Sequence, residues 1–172
     1  MKTRITAGAV ALLLALGLAE AGSAAPAVGC KTAQARYEMM GAPGFTAGFR
    51  PEPKRPGWLT DVSFFLRSAQ TGKTFWFLFD EGSARYVNMI STTDVTAPGW
   101  APPDPDGGAR PLGEMHYLAA DAALKFDPRL PRQDAPAPTY VLLPDLAETL
   151  WYRQRDGAKE AAPTAFFKLV GC

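Results

Sequence analysis

Between Trp58 and Thr92 the side chains alternate in three successive runs. Trp58 to Arg67 sets Val62, Phe64 and Leu66 against Asp61, Ser63, Phe65 and Arg67. Lys73 to Asp80 sets Phe75, Phe77 and Phe79 against Trp76 and Leu78. Arg85 to Thr92 sets Tyr86, Asn88 and Ile90 against Val87, Met89 and Ser91. A strand points successive side chains to opposite faces, so this period, with its aromatic and β-branched residues, predicts strands. Ala69-Gln70-Thr71-Gly72 and Glu81-Gly82-Ser83 separate the runs as turns and predict an antiparallel meander over 58–94. The middle run is apolar on both faces, so both need cover. A small sandwich or closed barrel fits that demand better than a one-sided sheet.

The rest of the chain extends the same reading. Phe45 to Arg50 alternates and predicts a short strand. Pro51 to Gly57 holds three prolines, which lack the donors a sheet interior needs, and reads as an extended loop. Residues 95–113 and Pro128 to Pro138 are rich in Pro, Gly and Asp and read as long connections. Glu114 to Ala120 and Thr139 to Leu143 read as strands, with a short helix from Ala119 to Lys125 as an alternative. Asp145 could cap a helical turn with Leu146, Leu150 and Trp151 on one side, followed by a strand within Thr149 to Gln154. Ala165 to Val170 reads as the closing strand, and residues 25–36 as a tail held only at Cys30. The expected fold is mainly β, with about seven to eight strands and one or two short helical turns, in a single domain over 25–172.

The chain opens with the marks of an export signal. Lys2 and Arg4 precede an apolar stretch of about fifteen residues, Ile5 to Ala19. The small residues Ala21-Gly22-Ser23-Ala24-Ala25 follow, so cleavage is expected after Ala24 and residues 1–24 are read as a signal peptide. A membrane-spanning helix needs about twenty apolar residues. The only cysteines are Cys30 and Cys172, and in an oxidising compartment they are expected to form a disulfide. Such a bond brings the two Cα atoms to about 4.4–6.8 Å and makes the first and last ordered segments neighbours. Ala27-Val28-Gly29-Cys30 offers a lipoprotein alternative, weakened by Ala27 where a branched residue is usual. The expected location is the periplasm of a bacterial cell or the space beyond it.

Charge narrows the partners. Removing residues 1–24 leaves 16 of the 18 basic and 16 of the 17 acidic residues. This balance supplies no clustered positive field for nucleic acid and no polybasic attraction to a membrane surface. No Cys-x-x-Cys pair exists for redox catalysis.

Candidate chemistry is sparse. Gly72-Lys73-Thr74 has Arg67 where a phosphate-binding loop needs glycine, and it joins two strands, so it reads as a hairpin turn. Asp104-Pro105-Asp106-Gly107 fails calcium-loop spacing at Pro102 and Gly113, although Asp104, Asp106 and Glu114 could make an irregular site. His116 is the only histidine, and no Gly-x-Ser-x-Gly elbow accompanies it. It reads as a partly buried strand residue bonded to Glu114 or a backbone carbonyl. Asp61, Asp80, Glu81 and Asp94 lie on or beside adjacent strands and are weak candidates for paired-carboxylate hydrolysis, with His116 beside them. Phe64, Phe65, Phe75, Trp76, Phe77, Phe79 and Tyr86 could line an apolar pocket but more simply form the core. Trp58 and Trp100 sit in loops and are candidate partner contacts. Gly82-Ser83-Ala84-Arg85-Tyr86 departs in residue order from the Ser-Gly-x-x-Tyr loop of periplasmic lysozyme inhibitors, and membership is not drawn from it.

The expected function is a non-enzymatic binding module, inhibitor-like among the options, with a protein or small-molecule partner. The alternatives are a small periplasmic hydrolase and a carrier of a small apolar ligand. No metal or cofactor is expected.

Overall fold

The alternation over 58–94 folds as three consecutive strands. They are β3 (Val62–Ser68), β4 (Thr74–Glu81) and β5 (Val87–Thr92) in a computed structural model that describes residues 29–81 and 86–172. The expected export signal and the turn expected at Gly82–Ser83 lie outside the described residues. Register is antiparallel, with Phe64 opposite Phe77 and Phe79 opposite Met89. Val62, Phe64, Leu66, Phe77, Phe79, Val87 and Met89 point to one side and are buried there.

The remaining strands complete an up-and-down barrel. β1 (Arg36–Met39) and β2 (Phe45–Pro51) precede the meander, and β6 (Glu114–Ala120), β7 (Phe126–Asp127), β8 (Tyr140–Leu142) and β9 (Phe166–Gly171) follow it. Sheet order is β5-β4-β3-β2-β1-β9-β8-β6-β7, and a β5–β6 pairing closes eight strands, with β7 as an extra strand on β6. Every neighbouring pair is antiparallel. Closure removes the free edges that an open sheet would present.

Rings from β1, β2, β3, β4 and β6 meet along the barrel axis. Phe49 and Phe64 meet edge to face at 5.2 Å, Phe79 and Tyr117 at 5.1 Å, and Tyr37 reaches Phe49 at 6.0 Å. An eight-stranded barrel is just wide enough for its own side chains to fill it, and here they do. The outward face of the meander is covered too, as the apolar middle run requires. Leu78 and Ile90 point outward and pair across β4 and β5, yet both are buried.

Several expectations are corrected. The supposed tail is ordered from Cys30 onward. Thr32 N–H donates to Ala135 O at 2.9 Å, Ala137 N–H to Cys30 O at 2.8 Å, and β1 pairs with both β2 and β9. Pro51 ends β2 opposite Val62 instead of opening the loop; a strand end tolerates its missing donor. The strand expected from Trp58 begins at Val62. The Ala119–Lys125 helix is a turn, in which Asp121 Oδ1 accepts from Ala123 N–H at 2.8 Å and Lys125 N–H at 3.0 Å. The strand expected within Thr149 to Gln154 is also absent. An α-turn, Leu146–Glu148, runs into a π-helical turn, Thr149–Arg153. Leu146, Thr149 and Leu150 share helical spacing and are buried, so tertiary packing overrides the strand propensity of Trp151 and Tyr152, which are exposed.

Cys30 and Cys172 form the disulfide, with Cα atoms 5.7 Å apart. Cys30 sulfur is thereby occupied. No helix among the described residues is long and apolar enough to cross a membrane.

Candidate functional site

Strand direction sorts the loops into two groups. The disulfide, the 52–61 loop and the 121–139 connection stand at one end of the barrel, here the proximal end. The turns at 40–44 and 69–73 and the long connections 93–113 and 143–165 start from the distal end.

The predicted carboxylates do not converge. Asp61, where β3 begins, and Asp80 and Glu81, where β4 ends, belong to the proximal end, whereas Asp94 follows β5 at the distal end. Asp61 is buried and accepts from Gln133 N–H at 2.9 Å, which ties two proximal connections together. Asp80 Oδ1 accepts from Glu81 N–H at 2.8 Å, and Glu81 itself is exposed. Asp94 Oδ1 accepts from Thr96 Oγ1 at 2.6 Å and Thr96 N–H at 2.8 Å. Those bonds favour the ionised form and hold the Asp94 carboxyl below its ordinary range.

His116 sits on the outer wall of β6, opposite Asn88, and is exposed rather than partly buried. Its partner is Asp145, not Glu114. Asp145 Oδ2 lies 2.8 Å from His116 Nδ1 and accepts from His116 N–H at 2.7 Å, so this side chain does not cap the helical turn. Tyr86 packs edge-on against the imidazole at 5.1 Å. Glu114 is engaged by Arg110, and Asp104 accepts from Asp106 N–H at 2.9 Å. Among the described residues no group of three or more His, Cys, Asp or Glu side chains could hold a metal ion.

Trp58 and Trp100 join the 52–61 and 93–113 loops over the outer wall. Trp58 Nε1–H donates to Pro103 O at 3.2 Å, and Trp100 Nε1–H donates to Thr92 Oγ1 at 3.4 Å. The Arg55 guanidinium lies 5.6 Å from the Trp100 ring centre. Together with Leu78 these rings enclose a small apolar contact, and both tryptophans remain half-buried.

Concavities lie at both ends of the filled interior. The distal one is a groove of about 680 Å³ bordered by Trp76, Thr92, Asp94, Arg110, Gln154 and Arg155. Its far bank is the 143–165 connection, which is pinned by Glu160. That carboxylate is fully buried and accepts from Ser68 Oγ at 2.8 Å and from Thr71 Oγ1. The proximal one is a cavity of about 340 Å³ between β6 and the 129–139 connection, with Tyr117 in its lining. Sequence reasoning named neither Asp145 as the histidine's partner nor Glu160, because both contacts join segments far apart in the chain. Tyr117 carried a signal: a tyrosine at an inward position of a barrel brings a hydroxyl that needs a partner.

The chain matches no known protein-family model, no curated protein and no solved structure.

Proposed function

We propose that this is an exported, non-enzymatic binding module built on a closed, cross-linked barrel. The observation that carries this reading is the contrast between a ring-filled interior and well-formed external concavities. The candidate acid–base groups are spread over both barrel ends and the outer wall, which leaves general acid–base chemistry without a shared centre. The distal groove instead sets Phe75 and Trp76, Lys73, Arg110 and Arg155, and Asp94 and Asp156 around one space, the mixed lining that small-molecule and peptide contacts use. The 93–113 loop forms its near bank and is fixed to the wall by Trp100, so the surface is held in shape before a partner arrives. Export rests on the signal-like opening of the chain and is supported by the disulfide.

The test is recovery of partners from the cell-envelope fraction by the mature oxidised protein, with Trp100→Ala as the comparison. Recovery that depends on Trp100 supports the reading; equal recovery of every partner by the variant removes the 93–113 loop from it.

A second reading, hydrolysis, is favoured by the His116–Asp145 pair. An imidazole oriented through Nδ1 by a carboxylate is two parts of a nucleophile–base–acid constellation. It requires a hydroxyl or water on Nε2 and a cleft, whereas His116 stands on an exposed wall. Ester hydrolysis by the mature protein that disappears in His116→Ala would favour the enzyme over the binding module.

A further inference from the structure

A row of outward positions crosses five strands of the barrel wall. Arg36 of β1 lies opposite Gly48 of β2, Gly48 opposite Phe65 of β3, Phe65 opposite Trp76 of β4, and Trp76 opposite Thr92 of β5. Directly opposed residues share a face, and neighbouring strands lie about 4.8 Å apart, so the row spans about 19 Å.

The middle of the row is aromatic. The Phe65 and Trp76 ring centres are 5.7 Å apart, and both rings are half-buried and stand outside the core. Phe65 reaches over the β2 backbone because Gly48 has no Cβ; one built there would lie 2.7 Å from Phe65 Cζ. The glycine therefore keeps the wall low between Arg36 and Trp76. A concavity borders each side of the aromatic pair. One, of about 420 Å³, is lined by Gln34, Arg36, Phe65 and Cys172. The other is the distal groove, lined by Trp76 and Thr92 among others. The contact between the two rings joins these hollows into one trough.

The polar lining of the trough carries both signs. Arg36 stands at one end, and Lys73, Arg110, Arg155, Asp94 and Asp156 at the other. Lys73 Nζ already donates to Asp156 O and Ala158 O, and Arg110 is engaged by Glu114 and Pro105 O. Arg36, Arg155, Asp94 and Asp156 are exposed, as are Gln34 and Thr93, whose side chains can both donate and accept. A polyanion would meet the aspartates and a polycation the arginines, each at a cost. A chain of neutral hydroxyls meets both, because each hydroxyl donates to a carboxylate or accepts from a guanidinium.

We propose that this trough binds an extended, uncharged glycan chain, with apolar sugar faces against Phe65 and Trp76 and hydroxyls shared among the arginines and aspartates. The proposal rests on the binding-module reading, names its ligand, and carries the distal groove across the wall to Arg36. The strands of a closed barrel hold the two rings in place before the ligand arrives, which lowers the cost of ordering them.

The experiment is a titration of the isotopically labelled mature oxidised protein with cellohexaose, followed by amide chemical shifts. Glucose is the control too short to span the trough, and hexaglutamate is the charged control. Cellohexaose is expected to shift amides at 34–36, 65–67, 74–76 and 92–94, and to bind at least about ten times more tightly than glucose. Trp76→Ala should weaken it at least about tenfold, with Trp76→Phe retaining most of the affinity. Arg36→Ala should weaken it about fivefold; it removes an exposed side chain and keeps the test open should Trp76→Ala disturb the sheet. Absence of shifts, equal affinity for wild type and Arg36→Ala, or tighter binding of hexaglutamate, which would mark an acidic-peptide site, overturns the proposal. Shifts confined to 92–94 and 154–156 also overturn it, and leave the distal groove as a site by itself. None of these results touches the Trp100-dependent recovery that tests the binding-module reading.

Discussion

Two tyrosines and one glycine show how much single residues decide here. Tyr37 and Tyr117 are both buried, and burial pushes both phenols well above the ordinary tyrosine value. A group whose folded value is raised contributes stability that is complete below its unfolded value and is lost as pH climbs beyond it. Above about pH 10 each phenol should therefore remove about 1.4 kcal/mol of stability per pH unit. Urea unfolding between pH 8 and pH 11.5 is expected to show this decline, and Tyr117→Phe should flatten it by one group's share. An unchanged slope in that variant would mean that the unfolding chain does not release a Tyr117 proton. Gly48 acts through space. A Cβ there would sit 2.7 Å from Phe65 Cζ and 3.0 Å from Ala35 O, so the ring of β3 lies directly on the β2 backbone. Gly48→Ala is expected to cost about 1–3 kcal/mol in urea melts, with part recovered by adding Phe65→Leu. At this scale the sorting of Phe64, Phe77 and Phe79 away from their neighbours was legible from alternation. The clash at Gly48 was not, because it depends on which ring the neighbouring strand brings alongside.

Elements were legible in proportion to the length of their pattern. β3, β4 and β5 alternate over six to eight residues; β4 and β5 were read to within two residues of their ends, whereas β3 was begun four residues early, at Trp58. β1 has four residues, Arg36-Tyr37-Glu38-Met39, too few for a period to stand out, although Tyr37 and Met39 face the core. The Thr149–Arg153 turn was misread for a different reason. Its exposed aromatics resemble a strand, and only the buried Leu146 and Leu150 reveal the helical spacing. Long connections gave no sign of their hold on the barrel, since it comes from distant donors such as the Trp58 and Trp100 indoles. Trp100→Ala is expected to speed amide exchange at 52–60 and 97–105 while the barrel strands keep their protection. Uniform loss of protection across β3 to β5 would show instead that the loop contact supports the barrel itself.

For the whole molecule the covalent tie and the last strand pairing act at one place. Cys30 and Cys172 are 142 residues apart in sequence, and β1 and β9 pair beside them. In the loop-entropy account a bond closing so long a loop is worth on the order of 5 kcal/mol, an upper figure. The Cys30→Ser/Cys172→Ser double variant is expected to unfold at markedly lower urea with a similar slope. A midpoint within experimental error of wild type would show that hydrogen bonds from Thr32, Ala33 and Ala137 hold the closure without the sulfurs. The choice between sandwich and barrel lay beyond sequence reasoning, because the decisive β5–β6 and β1–β9 contacts are pairings, not patterns.

The joined ends also make the barrel indifferent to where its chain is interrupted. A circular permutant, with a short glycine linker from Cys172 back to Gly29 and new termini at the Asp106–Gly107 turn, keeps every strand pairing in register. It should fold to the same barrel, which amide shifts of β1 and β9 would verify. By the same geometry, anything fused before Cys30 emerges beside anything fused after Cys172, so a tether at either point would turn the distal groove away from whatever surface holds the protein.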